Sequence, residues 1–582
     1  MGNDNRAGGV AKARRASKRQ GATEDGERIS QATVLVELCR DAKLWHTADG
    51  DAFATIRVAG RGNHDSRGHV EHHRLRSKAF RVWLARRFYL RHKAAPGSQA
   101  IADALNVLEG RAVHAGPQHD TFVRVAEHDE RIYLDLCDPT WRAVEIDAQG
   151  WRVVANPPVR FRRAKAMLAL PEPARGGSIS ELRGFVNVLA EGWALLIAWL
   201  VAALRPSGPY PVLELSGEQG NAKSTTAKVL RALGDPNSAP IRAEPRDARD
   251  LMIAASNGRF VALDNLSHLP AWLSDALCRL STGGGFSTRM LYENDEEIIF
   301  DAMRPIILTG IEDVATRGDL LDRSIPLHLP QIPDHERRSE AEFWREFEER
   351  RPFLLGALLD AVSTGLRNLP QITLPALPRM ADFAKWAVAC EPAMGCEAGA
   401  FLDVYASNRA QSHELAIESS TIGALILDAS PFVGTASELL EALELKAEER
   451  LKRSRGWPKS ARALSGMLRR LAPNLRATGV EVTMDGREPG GQRRRLIEIR
   501  TSTQKTDPTV PQRPVKRLFG TDGDANGTQT GPPEPPKSLL RDDRDGRDAK
   551  MPSCSNGDDS SINRLLAEAA DGADLTRSDR RS

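Results

Sequence analysis

The sequence predicts a multidomain α/β protein with disordered tails, and three observations support this fold class. The chain has 582 residues, which is too long for one ordinary domain. Between residues 178 and 370, short apolar runs alternate with helical patterns, as in a parallel sheet covered by helices. Residues 1–28 are rich in Gly, Ala, Lys and Arg, and residues 501–582 are rich in Pro, Gly, Asp, Arg and Ser. Neither segment has a hydrophobic period, so neither can bury enough apolar surface to fold.

The first predicted domain is a small α/β module at residues 29–171. A helix places Phe80, Leu84 and Phe88 on one face. Short alternating runs then follow, and we expect them to form successive hairpins. The sequence does not indicate what this module binds.

The same module contains a histidine-rich stretch formed by His64, His69, Glu71, His72 and His73. Imidazole and carboxylate groups are common metal ligands, so a metal site is one interpretation. The spacing is not that of a helical metal motif, and His72 and His73 would point in opposite directions on a strand. We therefore favour a solvated loop.

One segment, Val186–Leu204, is rich in Leu, Ala and Trp, but Asn187 and Glu191 interrupt it. Its uninterrupted apolar run is short of the roughly 20 residues that a membrane-spanning helix needs. No signal-peptide pattern follows the basic start of the chain. We expect a buried helix, no membrane association and a cytoplasmic location.

The central domain contains a phosphate-binding pattern. The apolar run Pro211–Leu215 precedes a glycine-containing loop, and a helical pattern follows as far as Leu233, which is the order that a Walker A motif requires. We expect the loop backbone to surround phosphates, Lys223 to reach the β and γ phosphates of ATP, and Ser224 to bind Mg²⁺. The predicted nucleotide-binding residues are Gly217, Glu218, Gln219, Gly220, Asn221, Ala222, Lys223, Ser224 and Thr225.

One position of this pattern qualifies the prediction. The motif expects glycine where this chain has Ala222, which is acceptable if its φ is negative.

Arg259–Asp264 is a second apolar strand that ends in a carboxylate, as in a Walker B motif, so Asp264 is predicted to hold Mg²⁺ through water. Asn265 follows where many such ATPases have a glutamate. Hydrolysis is therefore less firmly predicted than nucleotide binding.

A third strand, Arg304–Thr309, ends in a hydroxyl that could sense the γ phosphate or position water. Arg323 follows as a candidate arginine finger that a neighbouring subunit would receive. An isolated arginine can equally form a surface ion pair, and the sequence leaves both interpretations open.

The motifs GEQGNAKST, FVALDNLS, LSTGGGFSTRMLYENDEEIIFDAMRPIILTGI and LLDRSIPLHLP occur in this order between residues 213 and 330. This order and spacing resemble the ATPase domain of superfamily 3 helicases, particularly phage and plasmid primase-helicases, within the AAA+ class. The resemblance implies a homo-oligomer, possibly a hexameric ring, with ATP at subunit interfaces, Arg323 acting in trans and translocation on DNA.

The resemblance also implies a DNA-contacting hairpin at Phe286–Phe300, with Arg289 at the basic position. Asn294, Asp295 and Glu296 form an acidic tip, which departs from the family and does not favour contact with a phosphate backbone. A separate primase or polymerase is a possible partner.

After a helical segment at residues 371–430, residues 431–500 predict a winged-helix-like domain. Thr435 caps one helix, and a second helix has an apolar leucine face and a basic face. A hairpin with a basic strand follows. Residues predicted to contact DNA in this domain are Arg462, Arg469, Arg470, Arg493, Arg494 and Arg495. A protein-packing role for the same elements is the alternative.

Taken together, these patterns predict an ATP- and Mg²⁺-binding ATPase that acts as a DNA helicase or translocase in the replication of mobile-element DNA. A second hypothesis is a nucleotide-switched DNA-binding initiator or regulator that does not unwind DNA. Asn265 favours the second hypothesis, whereas the hairpin favours the first. An ATPase scaffold that binds protein partners is a third and weaker possibility.

Overall fold

The computed structural model describes residues 29–58, 68–289, 297–300, 303–311, 317–454, 456–487 and 495–501. Of the tails that the sequence predicts to be disordered, residues 1–28 and 501–582, only Thr501 lies within these ranges, as the last residue of a strand. The predicted acidic hairpin tip also lies outside them. No helix among the described residues is sufficiently long and apolar to cross a bilayer.

The first part of the chain forms a three-stranded antiparallel sheet, in the order β1-β2-β3, packed against three helices. Phe80, Leu84 and Phe88 are buried on one face of α2, as predicted. The elements are α1 (Gln31–Glu37), β1 (Lys43–His46), β2 (Ala52–Val58), β3 (His69–Arg74), α2 (Lys78–His92) and α3 (Ser98–Ala115).

The histidine-rich stretch lies on β3 and is partly buried, so the prediction of a solvated loop is wrong for residues 69–73. Pairing with β2, whose Ala54 and Ile56 are buried, overrides the weak strand propensity of these residues. Glu71 accepts hydrogen bonds from His69 (3.0 Å) and His73 (2.6 Å). His64 is outside the described residues. Among the described residues, no group of three or more His, Cys, Asp or Glu side chains could hold a metal ion.

Four further strands form an antiparallel meander, which confirms the predicted successive hairpins. Most of its apolar side chains join a large core that includes the helices at Ala190–Ala203 and Glu340–Asn368 and the central sheet. A few others form a small cluster of their own, and β1–β3 have a further separate core. The single module predicted for residues 29–171 therefore contributes to three separate cores. The strands are β4 (Val125–His128), β5 (Arg131–Asp135), β6 (Ala143–Asp147) and β7 (Gly150–Val154).

The central domain is built on a four-stranded parallel sheet in the order β13-β8-β12-β9. The apolar helix α4 is buried behind it, as predicted. An antiparallel hairpin, β10-β11, interrupts the domain. The elements are α4 (Ala190–Ala203), β8 (Val212–Ser216), α5 (Lys223–Gly234), α6 (Ala248–Asn257), β9 (Val261–Leu266), α7 (Ala271–Thr282), β10 (Phe286–Arg289), β11 (Glu297–Phe300), β12 (Ile306–Gly310), α8 (Gly318–Leu321) and β13 (Ser324–His328).

The long helix α9 (Glu340–Asn368) connects this domain to α10 (Ala381–Cys390) and α11 (Ala400–Glu418). The last domain has a three-stranded sheet in the order β14-β16-β15 beside two longer helices. Thr435 caps the first of these with a reciprocal capping box, as predicted. The elements are α12 (Gly423–Asp428), β14 (Phe432–Gly434), α13 (Ala436–Lys446), α14 (Glu449–Lys452), α15 (Ala461–Ala477), β15 (Val480–Arg487) and β16 (Arg495–Thr501).

Candidate nucleotide-binding site

The loop between β8 and α5 lies at the carboxyl edge of the parallel sheet, which is where open α/β sheets bind ligands. It borders a cleft of about 840 Å³. Residues 219–225 line this cleft, together with Lys228, Asn265 and Thr309. The sheet and the loop thus bring residues from three predicted motifs to one place.

Three loop residues have positive φ: Gly217 (140°), Gly220 (91°) and Ala222 (59°). A Cβ on Gly217 would lie 2.8 Å from the carbonyl oxygen of Leu329, so glycine is required there. The expectation of a negative φ at Ala222 is wrong. This alanine adopts the left-handed conformation in which the motif ordinarily has glycine.

The ammonium of Lys223 donates hydrogen bonds to the carbonyl oxygens of Gly217 and Glu218, each at 2.7 Å. Burial lowers the pKa of Lys223, while the charge of Asp264 opposes this change. Helix α5 has no side-chain cap at its N-terminus. The first N–H groups of such a helix have no partner within it and attract anions, so the lysine and the helix end favour the same ligand charge.

The carboxylate of Asp264 connects three elements of the site. Its Oδ1 accepts hydrogen bonds from the hydroxyls of Ser224 (2.7 Å) and Thr309 (2.6 Å). The hydroxyl of Thr309 also accepts a bond from the backbone N–H of Asn265 at 2.9 Å. The side chain of Asn265 is exposed, and its φ of 57° places the residue in a left-handed turn that asparagine tolerates better than most residues.

Asn221 supports the loop from behind. Its side chain is buried and its Nδ2 donates to the Leu329 carbonyl at 2.8 Å. Asn187 donates to the carbonyl oxygens of Asn221 (3.1 Å) and Pro330 (2.7 Å). Sequence reasoning missed Asn187 because its partners lie far along the chain.

The far wall of the cleft contains aromatic and basic side chains that the motifs did not indicate. Phe185, Phe343 and Trp344 form an aromatic group, with ring centroids 5.7 Å apart for Phe185–Phe343 and 5.3 Å apart for Phe343–Trp344. Arg337 lies above the loop, because its Nη2 is 3.7 Å from the position of a Cβ built on Gly220. The cleft therefore offers apolar surface and positive charge at once.

Arg323 is not among the residues that line this cleft. It donates to the carbonyl oxygen of Asp319 at 2.7 Å and pairs with the Asp319 carboxylate. Burial tends to raise the pKa of Asp319, but hydrogen bonding and charge from Arg323 outweigh it, so the pKa is lowered. Both interpretations of Arg323, a finger for another subunit and an ion pair, stay open.

The residues predicted to contact DNA lie on two domains. Arg289 ends β10 and is paired with Glu297 in the antiparallel hairpin. Arg462, Arg469 and Arg470 are exposed on α15, and the exposed Arg495 begins β16. The predicted contacts Arg493 and Arg494 lie outside the described residues.

Two family models match adjoining parts of the chain. Residues 179–414 match the actinomycete integrative conjugative element replication protein, and residues 419–513 match the AICE RepA C-terminal domain. No match is found among curated proteins. Most of the chain is thus similar, in order, to two segments of a conjugative-element replication protein.

Among solved structures, two apo forms of the NrS-1 C-terminal region are similar at 12% identity. They cover 81% of this chain and 98% or 99% of the other, with TM-scores of 0.32 and 0.34. A JCV helicase is similar at 13% identity over 36% of this chain and 64% of that one, with a TM-score of 0.19. One helicase is therefore among these structural neighbours.

Proposed function

We propose that this chain is an ATP- and Mg²⁺-binding ATPase that acts on DNA during replication of an integrative conjugative element. The observation that carries the proposal is the 2.7 Å hydrogen bond from Ser224 to Asp264, next to the ammonium of Lys223 and the uncapped end of α5. A hydroxyl, a carboxylate and a lysine at one loop are the groups that hold Mg²⁺ and the phosphates of a nucleotide.

The donor set is suitable for Mg²⁺ because this hard cation prefers oxygen ligands and retains several waters. Ser224 would bind the ion directly, and Asp264 would bind it through water. When bound with the nucleotide, the ion neutralises charge that develops on the phosphates. Lys223 would exchange its two loop carbonyls for phosphate oxygens. Thr309 holds Asp264 and the Asn265 backbone in position.

The aromatic group formed by Phe185, Phe343 and Trp344 supports a nucleotide over a simple phosphate, because a base needs apolar surface against which to pack. The parallel order β13-β8-β12-β9 supports an AAA+-like core, with the phosphate loop after an inner strand. The β14-β16-β15 sheet with α13 and α15 supports a winged-helix-like domain.

A helicase or translocase is the form of this function that we favour, working as a homo-oligomer and with a separate primase or polymerase. The β10-β11 hairpin supports it, since strand β10 ends at a basic residue, Arg289. The rival form, a nucleotide-switched initiator, is favoured by Asn265. Its amide cannot accept a proton from an attacking water as a carboxylate can.

The test is steady-state ATP hydrolysis by the full chain, with and without single-stranded DNA, compared among the native protein, Lys223→Ala and Arg323→Ala. A DNA-stimulated motor with shared sites predicts that both substitutions abolish turnover. Mixing the two variants should then restore some activity, because each supplies the residue that the other lacks. Tight ATP binding without turnover in the native protein would exclude the motor and favour the switch.

A further inference from the structure

A second cleft, here called the seam cleft, lies between the central domain and the last domain. Its volume is about 570 Å³, and its walls come from α8, α11 and α15 and the residues beside them. Four arginines line it: Arg317, Arg379, Arg469 and Arg470. The carboxylates in the lining are Asp319 and Asp322, so formal positive charge exceeds negative charge in this cleft.

The four arginines are not equivalent. Arg317 donates to Asp275 (3.0 Å), and Arg379 contacts the carboxylates of Asp319 and Asp322. Arg469 and Arg470 are exposed, and neither forms an ion pair with any residue that the structure describes. Two cations without a fixed counter-charge therefore face a concave surface.

The floor of the seam cleft contains a buried donor without a partner. Asn474 is 3% exposed, and its Oδ1 accepts a hydrogen bond from Nδ1 of His413 at 3.1 Å. Its Nδ2 has no hydrogen-bond partner within the described residues. Gly318 leaves room for this amide, since a Cβ there would lie 2.7 Å from Nδ2. An anion in the cleft is the type of group that arginines and an amide donor bind.

The packing of α15 determines which end of this helix can reach a ligand. Just past the middle of the helix, the carbonyl of Arg470 is only 3.7 Å from a Cβ position on Gly318, so the central domain covers that side of the helix. Arg462 lies seven residues before Arg469, or about 10 Å away along the helix axis. A duplex groove that spans the whole helix would need space that the central domain occupies. A single backbone needs only the space of the seam cleft, which the central domain leaves open.

From this geometry we propose that the seam cleft binds the phosphodiester backbone of DNA, with Arg469 and Arg470 as the phosphate contacts and Arg462 outside the site. This proposal rests on the proposed function, and it adds where on the protein DNA binds and which part of DNA is contacted. Asp319, which pairs with Arg323, also borders the cleft. DNA in the seam would therefore lie beside the group that holds the candidate finger.

The test measures binding of the full chain to a short labelled oligothymidine by fluorescence anisotropy at several salt concentrations. The double variant Arg469→Ala/Arg470→Ala should bind more weakly. The plot of log K against the logarithm of the salt concentration should also become less steep by about 1.4, because each phosphate contact on a single strand contributes about 0.7 to the slope. Arg450→Ala, the matched control, removes an exposed arginine of α14 that does not line the seam cleft, and it should keep the native affinity and slope. Arg462→Ala should weaken binding less than the double variant does.

Native DNA binding by the double variant would overturn the seam site, and so would either of two further results. One is an equal or larger loss with Arg462→Ala, which would indicate groove binding by the free end of α15. The other is that inorganic phosphate raises the melting temperature of the native chain but not that of the double variant, while both proteins bind DNA equally well. That result would indicate a site for small anions. Binding of a fluorescent ATP analogue is measured in parallel. If the native chain binds neither ATP nor DNA, the proposed function itself fails, whereas native DNA binding that the double variant retains removes only the seam site.

Discussion

The hydroxyl of Ser224 lies 2.7 Å from Oδ1 of Asp264, which connects the first turn of α5 to strand β9. Asp264→Asn keeps an oxygen near the hydroxyl and removes the negative charge. We expect Mg²⁺-dependent ATP turnover to decrease about a hundredfold, a typical loss when one preorganised electrostatic group is removed. The measurement is turnover against Mg²⁺ concentration.

The control for this substitution is Asp103→Asn, an exposed carboxylate on α3 that accepts a hydrogen bond from Gln99. It should leave turnover unchanged. Full activity of Asp264→Asn at all Mg²⁺ concentrations would show that this carboxylate does not serve the metal.

Ala222 has a φ of 59°, a conformation that costs an alanine about 1–2 kcal/mol and glycine nearly nothing. Ala222→Gly also increases the conformational entropy of the unfolded chain, which lowers the free energy of unfolding by about 0.5–1 kcal/mol. We therefore expect a net gain of about 0.5 kcal/mol in the free energy of unfolding and unchanged or tighter ATP binding. Urea denaturation and equilibrium titration measure the two quantities.

Ala227→Gly is the matched control, since Ala227 is buried within the same helix, α5. Glycine in a helix interior costs about 1 kcal/mol, so this variant should be less stable than the native chain. Destabilisation by both substitutions would contradict the view that Ala222 is strained.

Much of the central domain was predictable because its signals are local. The apolar strand, the loop and the helix around Lys223 are contiguous, and β9 and β12 could be recognised as short apolar runs that end in Asp264 and Thr309. The φ of Ala222 was not predictable, because side-chain identity alone does not determine whether an alanine adopts a left-handed turn. That turn is fixed by tertiary contacts such as the bond from Asn221 to Leu329.

Contacts between distant segments account for the other differences. The β4–β7 meander was assigned to the first module from its position in the sequence, but Trp151 on β7 donates to Asp360 on α9 at 2.9 Å, more than 200 residues away. The strand β3 was missed since its histidines carry no apolar alternation. The position of Arg470 beside Gly318 likewise depends on how two domains pack, which no local pattern encodes.

His72 predicts a pH dependence of stability. Burial is the largest cause that lowers its pKa, to about 3, and the charges of Arg160, His73, Arg163 and His119 act in the same direction. The unfolded chain binds this proton near pH 6.5, so stability is fully present above that value and is lost as the pH decreases towards 3. The loss is about 1.4 kcal/mol for each pH unit over most of this range.

The measurement is the free energy of unfolding at pH 6.5 and pH 5 for the native chain and for His72→Gln. The difference between the two pH values should be smaller in the variant. His335→Gln, which removes an imidazole that is 80% exposed, should behave as the native chain does. An unchanged pH dependence in His72→Gln would show that other groups are responsible.

Arg124 and Asp235 form an ion pair with both side chains fully buried, 3.1 Å apart, and join the meander to the end of α5. Asp235 also accepts hydrogen bonds from the backbone N–H groups of Arg259 (2.8 Å) and Phe260 (3.1 Å). Asp235→Ala leaves a buried arginine charge and two N–H groups without this carboxylate. We expect a loss of about 3–5 kcal/mol in the free energy of unfolding, measured by urea denaturation followed by tryptophan fluorescence.

Asp428→Ala is the comparison, because it breaks an exposed ion pair with Lys446 at 2.7 Å. An exposed pair contributes about 0.2–1 kcal/mol, since water screens the charges in both the folded and the unfolded chain. A similar small effect for Asp235→Ala would mean that water reaches Arg124 once the carboxylate is removed. A large difference between the two variants would instead show that the buried carboxylate, with its bonds to Arg124, Arg259 and Phe260, contributes strongly to stability.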